Sequence, residues 1–348
     1  MEVENDSKIV REQKRAKQAE REKNNNDWVP PETVKDSSGD DTLQQIKQAD
    51  LEPNNPKGIV VTSIHFQEFS GLSIPPPEHP TQHAYGTTYL EERLGMCTFR
   101  VSPGAFFQVN TMGAEVLYSK IVEVVRGIRK EGRKLVMFDV CCGTGTIGLT
   151  CMKENVVDRV IGIDISEPAI GNAIVNAKLN GFGVEGTDKD ATTKWIASKA
   201  EEAMKDEIFK LRGEQMSTGN SFDIIAVCDP ARDGLHVDVI RALRRCAPLA
   251  KIVYVSCNPT KSLVRDCTLL CGPQTNNLRG EGFWMEGAWP CDMFPQTDHC
   301  EMIMLLGRKG GFEKESRNGS NNNNNGNAKQ SNASNKAEKR KRSRSVDG

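Results

Sequence analysis

The stretch Lys134-Leu135-Val136-Met137-Phe138-Asp139-Val140-Cys141-Cys142-Gly143-Thr144-Gly145-Thr146-Ile147-Gly148 decides the fold. Its first half is an apolar, strand-forming run that closes on an acid. Its second half is a G-x-G-x-x-G turn that opens a helix expected over Thr146–Lys153. Glycines in such a turn let the backbone come close to a ligand, and the helix start presents free N–H groups. The next strand, Arg159–Asp164, ends on a second acid, 16 residues past Gly148. A carboxylate in that place can accept both hydroxyls of a ribose. Turn and acid together point to an adenosine cofactor, with NAD and S-adenosylmethionine both open at this stage.

Outward from this turn, strands and helices alternate. Further strands are expected at Phe222–Cys228 and Lys251–Ser256, and helices at Met112–Arg129, Glu167–Asn180, Lys189–Arg212, Val237–Arg245 and Pro259–Leu270. Such alternation predicts an α/β fold, Rossmann-like, with a mostly parallel sheet and helices on both faces. Upstream, Ile59–Phe66 is strand-like, Ser73–Pro80 is a Pro-rich loop, and Tyr89–Phe99 reads as short strands about a turn at Gly95. These make a small β-rich segment.

The strand ends carry the chemistry. Asp229, in Cys228-Asp229-Pro230-Ala231-Arg232-Asp233-Gly234, lies where an open α/β sheet places ligands. A stiff exit turn fixed by Pro230 is the plainer alternative. Cys257, in Val255-Ser256-Cys257-Asn258-Pro259, lies at a strand tip before an expected helix start. A helix dipole there lowers a thiol pKa from about 8.5, which makes Cys257 the best nucleophile candidate of the eleven cysteines. Cys141, Cys142, Cys151 and Cys228 are expected to pack in or against the sheet. Glu301 heads the last apolar strand, after the polar turn Asp292–Cys300. Partly buried, it suits a general base, and fully solvated it is an edge acid. His299 carries the same two readings.

The 348 residues include 46 Lys and Arg and 47 Asp and Glu, a formal net charge of -1, which by itself argues against a dedicated nucleic-acid binder. The balance is uneven. Residues 1–57 hold ten basic and thirteen acidic side chains, and residues 309–348 hold ten and four, ending in Lys339-Arg340-Lys341-Arg342-Ser343-Arg344. That basic end reads as a nuclear-import or RNA-contacting segment, or as a solvated charge run. No run of about 18 apolar residues exists, so no membrane span is expected. The charged start has no apolar stretch typical of a signal peptide. Eleven cysteines without any Cys-x-x-Cys spacing imply reduced thiols in the cytosol or nucleus and no metal site.

Taken together, Phe106-Phe107-Gln108-Val109-Asn110, Asp139 through Leu149, Asp229 through Leu235, Val255 through Pro259, and Asp292-Met293-Phe294-Pro295 through Glu301 resemble the RNA uridine C5-methyltransferase family. Order and spacing match over roughly Gly58 to Arg308, most like the animal tRNA-modifying branch. The resemblance implies a class I Rossmann-like methyltransferase domain with S-adenosylmethionine as cofactor. It implies contacts to that cofactor from Gln108, Gly143, Asp164 and Asp229, with Cys257 as nucleophile and Glu301 as the base that removes a proton. RNA, chiefly tRNA, is the implied partner. A monomer without metal or membrane contact is expected.

Departures from the family pattern are Ala231 in place of a second proline, Cys141 where tyrosine is usual, and Asp164 where glutamate is common. The expected division is a disordered polar segment 1–57, a partial central β-rich domain 58–111, the methyltransferase domain 112–308, and a disordered Asn-rich basic tail 309–348. No RNP signature precedes Gly58, so the chain reads as the catalytic half of a longer relative, drawing RNA affinity from the tail or from Arg126, Arg129, Lys130, Arg133 and Lys134. Three alternatives stay open. One is a catalytically weak adaptor that lacks RNA capture. Another is an rRNA-directed enzyme of the same chemistry. The third, an NAD-dependent oxidoreductase, leaves Cys257-Asn258-Pro259 and Glu301 without a role.

Overall fold

The computed structural model describes residues 61–70, 79, 81–219 and 221–308. The readings made for 1–57 and 309–348, and for nearly all of the Pro-rich loop, lie outside these. The chain divides into two units. The first comprises Met1–Phe66 with Gln82–Thr87, and the second Gln67–Thr81 with Thr88–Gly348. The described part of the first is an antiparallel pair, β1 (Ser63–Phe66) and β2 (Gln82–Gly86), with a register shift at Ile64/His65.

The second unit is built on a seven-stranded sheet. Along the chain it contains β3 (Leu90–Leu94), β4 (Cys97–Val101), α1 (Thr111–Ile128), β5 (Lys134–Val140), α2 (Thr146–Lys153), β6 (Arg159–Asp164) and α3 (Glu167–Leu179). There follow β7 (Thr193–Ala197), α4 (Ala200–Thr218), β8 (Phe222–Cys228), α5 (Val237–Arg245), β9 (Leu249–Ser256), α6 (Ser262–Cys271), β10 (Trp284–Cys291) and β11 (Glu301–Gly307). The sheet order is β10-β11-β9-β8-β5-β6-β7. β5 to β9 run parallel, and β11 is antiparallel to both β9 and β10. This is the expected α/β Rossmann-like architecture. The order reverses between β5 and β8, and the crevice beyond the carboxyl ends there is where such sheets hold ligands.

The alternation within the strands explains the two layers. Leu135 and Met137 of β5 and Ile225 and Val227 of β8 pack with α1, α2 and α3. Their neighbours Val136, Phe138, Ile224 and Ala226 pack with α4, α5 and α6 on the other face. Both faces are covered, so the strands are apolar throughout rather than alternating with polar residues.

One expected helix is corrected. Lys189–Arg212 was expected to be helical from end to end, yet Thr193–Ala197 is β7, paired parallel to β6, and α4 begins only at Ala200. Thr193 and Trp195 point inward between exposed or half-buried neighbours, the two-residue period of an edge strand. β10 had no expected counterpart; Gly287 and Pro290 obscure its pattern, and Pro is tolerated because β10 is an edge.

The β3–β4 hairpin is fastened to α3 by side chains that imitate a strand. Asn176 accepts the Arg100 N–H at 2.7 Å and donates to the Arg100 carbonyl at 3.3 Å. Asn180 does the same with Thr98, at 3.0 and 2.7 Å, and Asn172 accepts from the Ser102 hydroxyl. The spacing of four puts all three asparagines on one helix face. Asn176 also donates to the Thr144 carbonyl in the glycine turn, at 3.1 Å. Asn176→Ala leaves these buried backbone groups unpaired, at a cost of about 2–4 kcal/mol. A calorimetric melt should therefore fall by roughly 5–10 °C. An unchanged melt would contradict the fastening.

Candidate active site

Five strand ends converge at the carboxyl edge. β5, β6, β8 and β9 contribute their last residues, and antiparallel β11 contributes its first. β5 delivers Asp139, second from its end and 1% exposed. One carboxylate oxygen, Oδ2, accepts the Gly148 N–H at 2.9 Å, while Oδ1 is buried without a partner. Burial pushes its carboxyl up to about 7, the Gly148 bond opposing. Asp139 was quoted in the sequence motif but not singled out as a site residue. The signal was an acid inside an otherwise apolar strand.

The glycine turn follows. Cys141, Gly143 and Gly145 all have positive φ, at 62°, 53° and 81°. At Gly145 a Cβ would come within 2.7 Å of the Trp195 ring. Asp164, the last residue of β6, braces this turn: Oδ2 accepts the Gly143 N–H and Oδ1 the Ser166 N–H, both at 2.9 Å. Each oxygen keeps a lone pair, so the carboxylate is oriented and still able to accept from a pair of hydroxyls.

Asp229 follows β8 directly, with its N–H bonded to the Val140 carbonyl at 3.2 Å. Burial first, then Glu301 and Asp139, push its carboxyl up to about 8. Gln108, in the loop from β4 to α1, is 8% exposed. Asn110 caps α1 by accepting the Gly113 N–H, and its amide donates to the Met293 carbonyl at 2.9 Å, which ties this loop to the segment before Glu301.

Cys257 follows β9 directly and is half-buried. Met302, next to Glu301, pairs with Ser256, next to Cys257, so the start of β11 meets the end of β9, and the Glu301 charge reaches the Cys257 thiol. On its other side Glu301 pairs with Cys291. Glu301 is 4% exposed, and burial raises its carboxyl to about 7 against the pull of Arg232.

The expected lowering of the Cys257 thiol is corrected: it is pushed up, by burial first and then by Glu301 and Asp229, with Arg232 opposing. α6 starts at Ser262, five residues on, too far for its dipole to act. Arg232 belongs to the loop after Asp229, held by Asn258 donating to its carbonyl at 3.1 Å. Tyr118 of α1 is buried with its hydroxyl 3.3 Å from that of Thr146, and Asp229, Asp139 and Glu301 all act on it. Neither Arg232 nor Tyr118 had been singled out. His299 stays outside the group, exposed, its ring 6.4 Å from that of Phe294.

The arrangement suits a positively charged nucleoside. It offers a braced carboxylate beside a glycine turn, an unpartnered buried carboxylate oxygen and a further buried acid. Beside these lies a thiol within electrostatic reach of a carboxyl group. Among the described residues, the Glu201, His236 and Asp238 side chains also approach one another, in the first turn of α4 and at the start of α5. No helix of the described residues is long and apolar enough to cross a membrane.

Comparison with known proteins follows the same lines. The family model for tRNA (uracil-5-)-methyltransferase matches residues 82–309. The chain is 37% identical over 249 residues to tRNA (uracil-5-)-methyltransferase homolog A of Mus musculus, covering 71% of this chain and 37% of that protein. With homolog B of the same organism identity is 33% over 269 residues, 76% of this chain and 50% of the relative. The chain thus spans half the length of these relatives or less. A solved structure of Pyrococcus abyssi tRNA (uracil-54, C5)-methyltransferase, in complex with S-adenosyl-L-homocysteine, superposes with a TM-score of 0.50 at 26% identity, over 73% of this chain and 53% of that one. The family model spans well over half the chain and contains every strand tip of the site, so the protein belongs to the tRNA (uracil-5-)-methyltransferase family.

Proposed function

We propose that this chain transfers a methyl group from S-adenosylmethionine to C5 of a uridine in RNA, with tRNA as substrate. The observation that carries the reading is Cys257, after the end of β9, within electrostatic reach of Glu301 at the start of β11, beside a cradle lined with carboxylates. Asp164 and the turn at Gly143 hold the nucleoside end of the cofactor. Asp229, Asp139 and Gln108 line the part nearer the reacting uridine. When bound, S-adenosylmethionine supplies a methyl group on a positively charged sulfur.

Uracil C5 is a weak nucleophile. Addition of the Cys257 thiolate to C6 turns the base into an enolate that is nucleophilic at C5. Arg232 favours that thiolate, whereas charged Asp229 and Glu301 oppose it. In the empty site near neutral pH, Asp229 is mostly protonated and Glu301 about half, which lessens the opposition and leaves a carboxylate fraction of Glu301 to act as base. Once C5 carries the methyl group it also carries a proton. Glu301 takes that proton, the C5–C6 double bond re-forms, and Cys257 leaves as thiolate. The uridine must be unstacked to reach Cys257, so a loop nucleotide is the accessible target.

Incubation with methyl-labelled S-adenosylmethionine and unmodified tRNA should put label on uridine C5. Cofactor binding without transfer to any RNA would overturn the reading and favour the adaptor. Label in rRNA alone would move the substrate. The oxidoreductase reading has lost its support, because the family is a methyltransferase family.

The carboxyls give this site a pH signature. Asp139 and Asp229, raised to about 7 and about 8, are protonated in the empty site at pH 6 and attract a cation only when ionised. Binding of the cationic cofactor should release protons, and affinity should rise about tenfold or more from pH 6 to pH 8. Titration calorimetry in buffers of different ionisation heat measures this directly. S-adenosylhomocysteine, which lacks the sulfonium charge, should show a smaller rise. Equal slopes for the two would contradict the assignment of these carboxylates.

A further inference from the structure

The basic residues expected to hold RNA are largely engaged elsewhere. Arg126 pairs with Glu154, Arg129 with Asp158 and Arg133 with Asp223. Each guanidinium is already bonded to a carboxylate within the fold. An open groove of about 850 Å³ between α4 and α5 offers what that run does not.

Five cations line it; Lys210 is paired with Glu207 and Arg241 with Asp238, which leaves three. Lys205 and Arg212 lie on α4 and Arg245 near the end of α5, all exposed. Among the described residues none of the three donates a side-chain hydrogen bond or joins an ion pair within 4 Å. Between Lys205 and Arg212 stands Phe209, 80% exposed, a large ring with no packing role on the surface. The spacing of four and three places Lys205, Phe209 and Arg212 on one face of α4. Seven residues of helix separate the two cations by about 10 Å. The acids of the groove are Glu201, Asp206 and Asp238, and Asp238 is taken up by Arg241 at 2.6 Å. Its upper end lies at the start of α5, which the Asp229–His236 loop joins to the reactive edge.

We propose that the α4–α5 groove is a second RNA-binding surface. In it a single-stranded segment of the substrate lays phosphates against Lys205, Arg212 and Arg245 and stacks a base on Phe209. Cations on either side of an exposed ring match a chain of phosphates with a planar base between them. An acidic protein would satisfy the cations and leave the ring without a planar partner. The assignment rests on the RNA-methylating function proposed above and deepens it. The tRNA backbone extends well past the target uridine, and within the described fold, where charge is mixed, localised unpaired cations such as these are what can hold it.

The test uses the full chain and unmodified tRNA, with affinity measured by filter binding over a series of salt concentrations. Lys205→Ala/Arg212→Ala/Arg245→Ala should weaken binding about tenfold or more at low salt. It should also flatten the log–log salt slope by about 2–3, because each lost phosphate contact removes roughly 0.7–0.9. Phe209→Ala should weaken binding about fivefold or more and leave the slope unchanged, as expected for stacking. S-adenosylmethionine affinity should stay the same in all variants, which shows an intact fold. If wild type binds and methylates tRNA while the variants keep its affinity and slope, the groove proposal falls and the function stands. If wild type neither binds nor methylates RNA, both fall.

Discussion

Cys257→Ala should abolish methyl transfer, lowering turnover by about 10⁴-fold or more, while S-adenosylmethionine still binds. The size follows from the role: without a thiolate at C6 there is no enolate, and removing a covalent nucleophile costs on that scale. The specificity of the effect needs a control, since Glu301 acts on two cysteines, Cys257 after β9 and its strand partner Cys291 on β10. RNA containing 5-fluorouridine separates them. After methyl transfer the C5 fluorine cannot be abstracted as a proton can, so the adduct between sulfur and C6 is trapped. Wild type and Cys291→Ala should give a band of RNA joined to protein that survives denaturing electrophoresis, and Cys257→Ala should give none. A trapped adduct in Cys257→Ala would transfer the nucleophile to another thiol. The alkaline limb of the wild-type rate profile should also reflect a hard-to-ionise thiol, because burial, Glu301 and Asp229 all raise it.

Which parts of this site could be read from sequence depends on the range of the forces involved. Gly143, Asp164 and Asp229 could be placed at strand ends from sequence because the signals that place them are local. A turn needs glycines beside a strand end, and an acid closing a strand needs only its own strand to be recognised. Cys257 and Glu301 were found as residues, through their strand tips and the family resemblance. Their mutual electrostatics were not, because these depend on β11 entering the sheet antiparallel between β9 and β10, which brings the start of β11 to the end of β9. The thiol was accordingly expected to be acidified by a helix that in fact begins five residues later. Asp139 was passed over because it lies inside an apolar strand, where a carboxylate reads as an interruption until the burial of its second oxygen is seen. The β7 segment Thr193–Ala197 failed for the opposite reason. Five residues between Lys- and Asp-rich turns carry too little periodicity to compete with the long helix that follows, and only pairing with β6 makes them a strand. The asparagines at 172, 176 and 180 show their spacing plainly, yet their purpose appears only with β4 laid along them.

Glu301→Gln separates the two halves of the reaction. The substitution keeps shape and hydrogen-bonding capacity and removes the ability to take a proton. Thiolate addition and methyl transfer should proceed, and the adduct should then stall with both a methyl group and a proton on C5. Turnover should fall about 10²–10⁴-fold. Labelled methyl should accumulate in RNA joined to Cys257, in an amount approaching one per protein. Free methylated RNA at normal turnover would remove Glu301 from the role, and loss of both adduct and methyl transfer would place it before the methyl step. The same variant carries a stability signature that a remote residue would not. The Glu301 carboxyl is raised in the folded chain from 4.5 to about 7, so the unfolded chain gives up this proton first as pH rises. Stability is therefore lost through this group between about pH 4.5 and 7, by on the order of 2–3 kcal/mol. Glu301→Gln cannot titrate. Its melting temperature should match wild type near pH 4.5 and exceed it above pH 7, as expected where a site holds an ionisable group against its preference for water. A gain in stability at high pH together with a stalled adduct would locate the strain and the chemistry on the same carboxylate.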